Sequence, residues 1–202
     1  MLTGPAFVES VRALRLPTKI VGTNLEVFEE IDFTNQWGLD HGREEIMAVA
    51  DRQTAGRGRQ GRTWLSSPGL GLWFTACIDG VMPGLTFAAA MAVCDALSDL
   101  RPTVKWPNDI LVDGRKVCGI LAEHRSGLTA LGIGINVHHV DADFPQELQG
   151  KAGSLESATG RTFDRLDVLT RVLIELDKSV ILLRAGAFEQ IRKRWVEACC
   201  TV

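Results

Sequence analysis

The sequence predicts an α+β domain built on a mixed, mostly antiparallel sheet with flanking helices. Strand-length apolar runs follow one another closely in the middle of the chain, separated by the turn dipeptides Asp113-Gly114 and Ser126-Gly127. Helical periodicity is concentrated before and after these runs. The regular alternation of strand and helix that would indicate a parallel sheet is absent from the sequence. This arrangement is typical of the α+β class.

The first half of the chain predicts three helices and three strands. The clearest helix carries apolar side chains at three- and four-residue steps, namely Phe87, Met91, Cys94 and Leu97. Compact apolar runs of strand length predict the strands. The predicted helices cover 5–14, 34–41 and 84–100, and the predicted strands cover 25–31, 46–50 and 72–78.

The second half predicts three strand-like runs and then two helices. The runs cover 103–106 continuing into 110–112, then 117–122, then 128–137. Asp164 is placed to cap the helix that follows, and Phe188 begins a second predicted helix that ends at Ala198. The apolar stripe of the first helix comprises Leu166, Leu169, Leu173, Leu176 and Val180.

Length and composition limit the class of protein. The 202 residues fit a single domain covering 1–202. Lys and Arg number 22 against 25 Asp and Glu, so the net charge of -3 gives no general reason to expect nucleic-acid binding. No run approaches about 18 apolar residues, and the N-terminus lacks a signal-peptide pattern. Five cysteines without C-x-x-C spacing indicate a reducing compartment. We therefore expect a cytoplasmic protein that contacts neither nucleic acid nor membrane.

A glycine- and arginine-rich stretch follows the second predicted strand. Its segment 56–61 satisfies the pattern G-x-G-x-x-G, which raises the hypothesis of a dinucleotide-binding fold. That fold needs a helix to begin at the third glycine, so that free backbone N–H groups face the pyrophosphate. Here Pro68 and Gly69 stand where the helix would continue. The sequence therefore argues against a dinucleotide-binding unit.

The same stretch carries Arg57, Arg59 and Arg62. Guanidinium groups bind phosphate and carboxylate in bidentate fashion, and glycines let a backbone fold closely around an anion. A loop of this composition is costly to order without a ligand. It predicts a flap that closes over a phosphate, although a solvated basic loop would have the same composition.

A second group of polar residues is expected on a hairpin. The Asp113-Gly114 turn should fold 105–109 back toward 116–121, which would bring Asn108, Asp109 and Lys116 close together. Gly119, within a strand, suggests a close approach of another group to the backbone. Ordinary surface charge on a hairpin remains an alternative for these residues.

The remaining polar candidates are less informative. Asn136 stands among branched apolar residues and must form a hydrogen bond either with the protein or with a ligand. Cys118 lies in an apolar strand, which favours a packed thiol over a nucleophile. The four histidines show no metal-ligand spacing, so no side-chain metal cluster is expected.

Taken together, four motifs resemble those of the biotin protein ligase family. They are DRQTAGRGRQGRTW at 51–64, KWPND at 105–109, KVCGIL at 116–121 and GIGINV at 132–137, in matching order over about residues 28–195. The resemblance implies a catalytic domain like those of class II aminoacyl-tRNA synthetases and biotin ligases. It also implies a two-step reaction: biotin and MgATP form biotinyl-5′-AMP and pyrophosphate, and biotin then passes to a lysine of a biotin carboxyl carrier domain.

The resemblance also implies roles for individual residues. Lys116 and Arg59 would be catalytic, with Lys116 bridging the biotin carboxylate and the α-phosphate, and Asp109 would order Mg²⁺ or the acceptor amine. The implied biotin contacts are Thr34, Gln53, Gly56, Arg57, Lys116 and Gly119. The implied nucleotide contacts are Arg59, Arg62, Trp64, Asn108 and Asn136.

Three departures from the family pattern leave alternatives open. Phe33 stands where the family usually has a serine facing biotin. No winged helix-turn-helix is expected before the catalytic region, and the C-terminal β-barrel of many members is expected to be absent or truncated. A lipoate or octanoate ligase, a related acyltransferase and a non-catalytic ligand-binding member therefore remain alternatives, as does a homodimer paired at a sheet edge.

Overall fold

A computed structural model describes residues 2–200, and within that range the strands form one seven-stranded sheet. The strands are β1 Asn24–Ile31, β2 Ile46–Gln53, β3 Gly71–Asp79, β4 Thr103–Lys105, β5 Asp109–Val112, β6 Arg115–Arg125 and β7 Leu128–Asn136. They lie in the order β1-β2-β3-β7-β6-β5-β4, with β1 and β2 parallel and the other neighbours antiparallel. The predicted mixed, mostly antiparallel sheet is confirmed.

Helices flank the sheet, as expected. They are α1 Gly4–Arg12, α2 Thr34–His41, α3 Leu85–Ala96, α4 Leu155–Thr159, α5 Arg165–Arg184 and α6 Phe188–Ala198. The Asp164 carboxylate caps α5 by accepting the backbone N–H groups of Leu166 and Asp167 at 2.7 and 3.2 Å. Helix α3 ends earlier than predicted because a separate 3₁₀ turn, Ser98–Leu100, follows it. Helix α4 was not predicted.

The predicted run from 103 to 112 is wrong in one respect. It forms two antiparallel strands, with Lys105 opposite Asp109, and a tight turn at 106–108 joins them. Pro107 has no backbone N–H to give to a sheet ladder, which favours a turn here. The extra reversal places the start of β5 beside the end of β4, at the edge of the cavity described below.

The two hairpin turns have the predicted backbone. Asp113 and Gly114 have φ values of 49° and 71°, and Ser126 and Gly127 have values of 51° and 84°. Both central residues of each turn are thus left-handed, which suits the twist of the flanking strands. The first of these turns joins β5 to β6, where Asp109 pairs with Gly119 beyond a shift of register between Ile110 and Leu111.

The two faces of the sheet have different surroundings. Alternate residues of β3, including Phe74 and Ile78, join the main hydrophobic core, on which α3 and α5 pack. Helix α2 lies on the opposite face, where Gly38 contacts Thr75 and Cys77. The candidate site lies on this second face. Among the helices of the described residues, none is long and apolar enough to cross a membrane.

Candidate active site

A cavity of about 680 Å³ opens on the α2 face of the sheet. Its walls are the stretch 57–65, the β5–β6 hairpin, and the segment between β7 and α4. Among its charged lining residues Asp109 is the one acid, and the basic ones are Arg57, Arg59, Arg62, Lys105, Lys116 and Lys151. The cavity is therefore cationic although the chain carries a net charge of -3, which favours an anionic ligand.

The buried end of the cavity is polar but uncharged. Thr34 begins α2, and its backbone N–H donates to Gln53 Oε1 at 2.9 Å, with the Thr34 hydroxyl oxygen also 2.9 Å from that atom. Gln53 ends β2 and donates from Nε2 to Ser66 Oγ at 2.9 Å. Thr34 and Gln53 are only 2% and 9% exposed. Two of the predicted biotin contacts, Thr34 and Gln53, thus lie together in a place suited to a neutral polar group.

A second layer of polar side chains, which sequence reasoning missed, lies behind Thr34. Asn35 is fully buried and lies 2.7 Å from the Thr75 hydroxyl and 2.8 Å from Glu123 Oε2. Gly132 provides the space, because a Cβ there would lie 2.2 Å from Asn35 Oδ1. The glycine at this strand position was the one signal in the sequence for this layer.

Trp64 lies flat on two glycines of the sheet. Gly119 and Gly134 face each other across β6 and β7, and a Cβ on either would lie within 2.7 Å of the indole. The close approach predicted at Gly119 is confirmed, and it is the indole that approaches. One face of Trp64 is thereby covered, so a stacked adenine would need the other face. The Lys116 ammonium lies 5.0 Å from the centre of the Trp64 ring.

Gly56 is the predicted biotin contact that does not line the cavity. It is buried behind Trp64, where a Cβ would lie 2.7 Å from the Trp64 carbonyl oxygen and 2.9 Å from Ser66 Oγ. Its backbone oxygen accepts the Trp64 N–H at 2.9 Å. Gly56 therefore shapes the base of the arginine-rich stretch, and its contact with biotin stays a prediction.

Lys116 lies beside Asp109, as the hairpin prediction expected. Its ammonium is 2.7 Å from Asp109 Oδ1, and the two side chains are 32% and 23% exposed. The backbone of Lys116 is held from the other side, where its N–H donates to the Lys151 carbonyl and its carbonyl accepts the Gly153 N–H. The ammonium and the backbone of Lys116 are thus held by separate contacts, and the side chain lines the cavity.

The arginine-rich stretch forms a compact turn. The Gly58 N–H donates to the Arg62 carbonyl at 2.7 Å, and Arg59–Gly61 is a short 3₁₀ turn. No helix begins at Gly61, so the dinucleotide-binding hypothesis was rightly rejected. The guanidinium of Arg57 lies 5.8 Å from the centre of the Phe33 ring, which lines the cavity and is 5% exposed. Within residues 2–200, the Arg59 side chain has no hydrogen bond or ion pair.

Asn108 and Asn136 both line the cavity while bonding to the protein. Asn136 Nδ2 donates to the Gly153 carbonyl at 2.9 Å, and Asn108 Nδ2 donates to the Ile120 carbonyl at 2.8 Å. The buried Asn136 is therefore satisfied by the protein through its amide N–H. A ligand contact with either residue stays a prediction, and the groups left for it are the side-chain oxygens and second amide protons.

The segment from 140 to 152 contributes residues that no sequence pattern indicated. Phe144 and Lys151 line the cavity, and the Phe144 ring stacks on His139 with centroids 5.1 Å apart. Burial lowers the pKa of His139 to about 4, so the imidazole is neutral near pH 7. Its apolar surroundings keep it as a packing partner for Phe144.

The Cys118 thiol lies in the protein interior. Cys118 is fully buried, and burial raises the pKa of its thiol above the ordinary value, in agreement with the predicted packed thiol. No cluster of three or more His, Cys, Asp or Glu side chains suitable for a metal ion occurs in the described range 2–200.

Comparisons with known proteins define the family to which a chain with this fold and this cation-lined cavity belongs. Residues 27–139 match the model of the biotin/lipoate A/B protein ligase family. The chain belongs to this family. The roles predicted for individual site residues remain predictions.

Three relatives illustrate the similarity. The bifunctional ligase/repressor BirA of Bacillus subtilis is 34% identical over 204 residues, which cover 93% of this chain and 63% of that protein. The biotin–[acetyl-CoA-carboxylase] ligase of Paracoccus denitrificans is 32% identical, with coverages of 73% and 68%. The biotin protein ligase from Aquifex aeolicus, solved in complex with biotin and ATP, has a TM-score of 0.79 and 30% identity, with coverages of 88% and 79%. The chain thus spans less than two thirds of the BirA relative.

Proposed function

We propose that residues 1–202 form a single catalytic domain that activates biotin with ATP and transfers it to a carrier protein. The observation that supports this proposal is the cavity, which joins a neutral polar end to a cationic side in one continuous space. Such a space suits an acid with an uncharged head group that must meet a polyphosphate. The relatives named as biotin ligases favour biotin as that acid.

The first step would join biotin to AMP. A carboxylate oxygen of biotin attacks the α-phosphorus of ATP, the bond to the leaving oxygen breaks, and pyrophosphate departs. Two anions must approach each other, so a fixed cation between them stabilises the transition state more than the separated reactants. Lys116 is suited to this role because its ammonium is oriented by Asp109 and lines the same cavity as the polar end and the arginine-rich stretch.

The arginines would hold the departing phosphates. Arg59 and Arg62 are exposed and point from a compact turn at the cavity rim, where bidentate bonds to phosphate oxygens would replace solvent. Mg²⁺ would arrive with ATP, since this ion usually takes one or two carboxylates and otherwise phosphate and water oxygens. Asp109 is the one cavity carboxylate in the described residues, and it fits that limited demand.

The second step would transfer biotin to an amine. A carrier lysine attacks the acyl carbon of biotinyl-5′-AMP, AMP leaves, and the amine proton is lost to solvent. A biotin carboxyl carrier domain as the acceptor and a cytoplasmic location belong to this proposal. A homodimer formed at the outer edge of β1, beyond which the described residues place no further strand, remains an alternative assembly.

A lipoate or octanoate ligase is the second candidate, and Phe33 is the observation that favours it. The phenyl ring adds apolar surface beside Thr34, where a hydroxyl would suit a polar head group better. Against it, Thr34 and Gln53 still present polar atoms at the same end of the cavity.

Pyrophosphate exchange separates these candidates. The protein is incubated with ATP and labelled pyrophosphate, together with biotin, lipoate or octanoate in separate reactions. Exchange with biotin alone supports the proposal, whereas exchange with lipoate or octanoate alone supports the second candidate. Silence with all three acids, from protein that is shown to be folded, would contradict both and favour a ligand-binding protein without turnover.

A further inference from the structure

Trp106 is a large apolar side chain that the fold leaves in contact with solvent. Of the five tryptophans, all of which lie in the described range, it is the one with an exposed side chain, at 58%. It stands in the tight turn between β4 and β5, and it also lines the cavity. An exposed side chain that lines the cavity lies at the cavity rim.

Aromatic residues packed on the core hold the Trp106 ring in place. The ring meets Trp195 of α6 edge-on, with centroids 5.7 Å apart, and its centroid is 6.3 Å from that of Phe87 in α3. The rings of Phe87 and Trp195 are themselves 4.8 Å apart. A side chain that is already held loses little conformational entropy when a partner covers it. Trp106 is therefore suited to be an anchor for a protein partner, because aromatic anchors carry much of the binding energy of protein interfaces.

The rest of the rim combines a second exposed apolar residue with positive charge. Leu148 is 40% exposed and lines the same cavity. Among the described residues, the exposed charged side chains that line the cavity are all basic, namely Arg57, Arg59, Arg62, Lys105 and Lys151. A partner that complements this rim presents apolar residues to Trp106 and Leu148 and acidic residues around them.

We propose that Trp106 and Leu148 form the docking surface for the folded domain that carries the acceptor lysine, and that acidic residues surround this lysine. The inference rests on the proposed function and deepens it, since it assigns a surface to the protein substrate of the second step. The acyl adenylate would form inside the cavity beside Lys116, whereas a lysine amine stands on a stem of only four carbons. The backbone of the carrier must therefore come to the rim before its amine can reach the acyl carbon.

Three assays on one preparation separate docking from chemistry, all at saturating biotin and ATP. Pyrophosphate exchange measures formation of the adenylate. Hydroxylamine is a small nucleophile that attacks the same acyl carbon and expels AMP, so the yield of biotinyl hydroxamate measures acyl transfer without docking. Biotinylation of a biotin carboxyl carrier domain prepared without biotin gives kcat/KM for the protein acceptor. The ratio of this kcat/KM to the rate of hydroxamate formation does not depend on the fraction of enzyme that is folded.

The variants change the anchor and a matched position elsewhere. Trp106→Ala removes the indole, Trp106→Phe keeps an aromatic ring, and Leu148→Ala shortens the second apolar residue. The control is Leu182→Ala, at an exposed apolar position of α5 that does not line the cavity.

The expected result is a loss that only the protein acceptor shows. W106A should lower kcat/KM for the carrier about tenfold or more through a higher KM, as is typical of an interface anchor, with exchange and hydroxamate formation within about twofold of the wild type. W106F and L148A should lose less than W106A, and L182A should resemble the wild type. Added salt should lower kcat/KM for the carrier and leave hydroxamate formation unchanged, because it screens the charges of the rim.

Several outcomes contradict the inference. An unchanged kcat/KM for the carrier in W106A would overturn it, and so would an equal loss of hydroxamate formation in W106A or an equal loss of carrier biotinylation in L182A. Carrier biotinylation that is insensitive to salt would overturn the acidic character assigned to the partner. A folded wild type without biotin-dependent exchange, or with exchange but without carrier biotinylation, would instead refute the proposed function, and the inference with it.

Discussion

Replacing Lys116 by alanine tests the centre of the proposed reaction. The side chain is about one-third exposed, and an ion pair of this kind contributes at most about 1 kcal/mol to stability, so the fold should remain intact. In the reaction, removing one preorganised cation or donor at a developing anion costs about 3–4 kcal/mol, which corresponds to roughly 10²–10³ in rate. The unpaired Asp109 carboxylate left behind would add repulsion toward the phosphates and push the loss toward the upper value.

The assay is biotin-dependent pyrophosphate exchange at saturating biotin and ATP. Lys105→Ala is the matched control, because Lys105 also lines the cavity and lies opposite Asp109 across β4 and β5. Its loss removes the same charge from the same space and should cost less than the Lys116 substitution by a factor of about ten or more. The reasoning is refuted if K116A is folded and keeps more than a third of wild-type exchange, or if K105A falls equally far.

Three further predictions concern other parts of the site. Biotin and ATP together should protect the exposed segment 57–62 from trypsin, and unchanged cleavage would argue against its closing over phosphate. Phe33→Ser should bind biotin roughly 5- to 150-fold more tightly in calorimetry, because a hydroxyl would supply a missing hydrogen-bond donor; weaker binding by folded protein would contradict this. His139 has a folded pKa of about 4 and an ordinary value of 6.5, so the unfolded chain binds more protons between these pH values and stability must fall as the pH drops through that window. Urea denaturation at a series of pH values should show a loss on the order of 2–3 kcal/mol that His139→Phe abolishes, and an identical slope in the variant would refute the assignment.

The parts of the fold predicted from the sequence are those with local signals. Helix α2 has the predicted bounds because Gly42 follows it, and α6 has them because its apolar positions are periodic. The reversal at 106–108 was missed, since a single proline between two short apolar runs reads equally well as a continuing strand. The segment 140–159 was missed because its 3₁₀ turns and its five-residue helix are too short to show any period.

The residues of the candidate site also differ in whether a local sequence signal predicts them. Lys116 and Asp109 could be placed together because a two-residue turn fixes their separation. Asn35, Thr75 and Glu123 could not, because they come from α2, β3 and β6 and meet only through the registers of three strands. The number of such combinations in a chain of this length is large, and no spacing rule selects this one.

The backbone hydrogen bonds of Lys116 affect how a ligand can enter and leave the cavity. An outward movement of the segment 151–153 would break the two backbone hydrogen bonds that Lys116 makes with Lys151 and Gly153. It would also break the hydrogen bond from the Asn136 side chain to the Gly153 carbonyl. The turn at 57–62 is closed by bonds within itself and at its base, so it can tilt as a unit without losing them. We therefore expect a ligand to enter and leave past the arginine-rich turn, while the Lys116 side of the cavity stays in place.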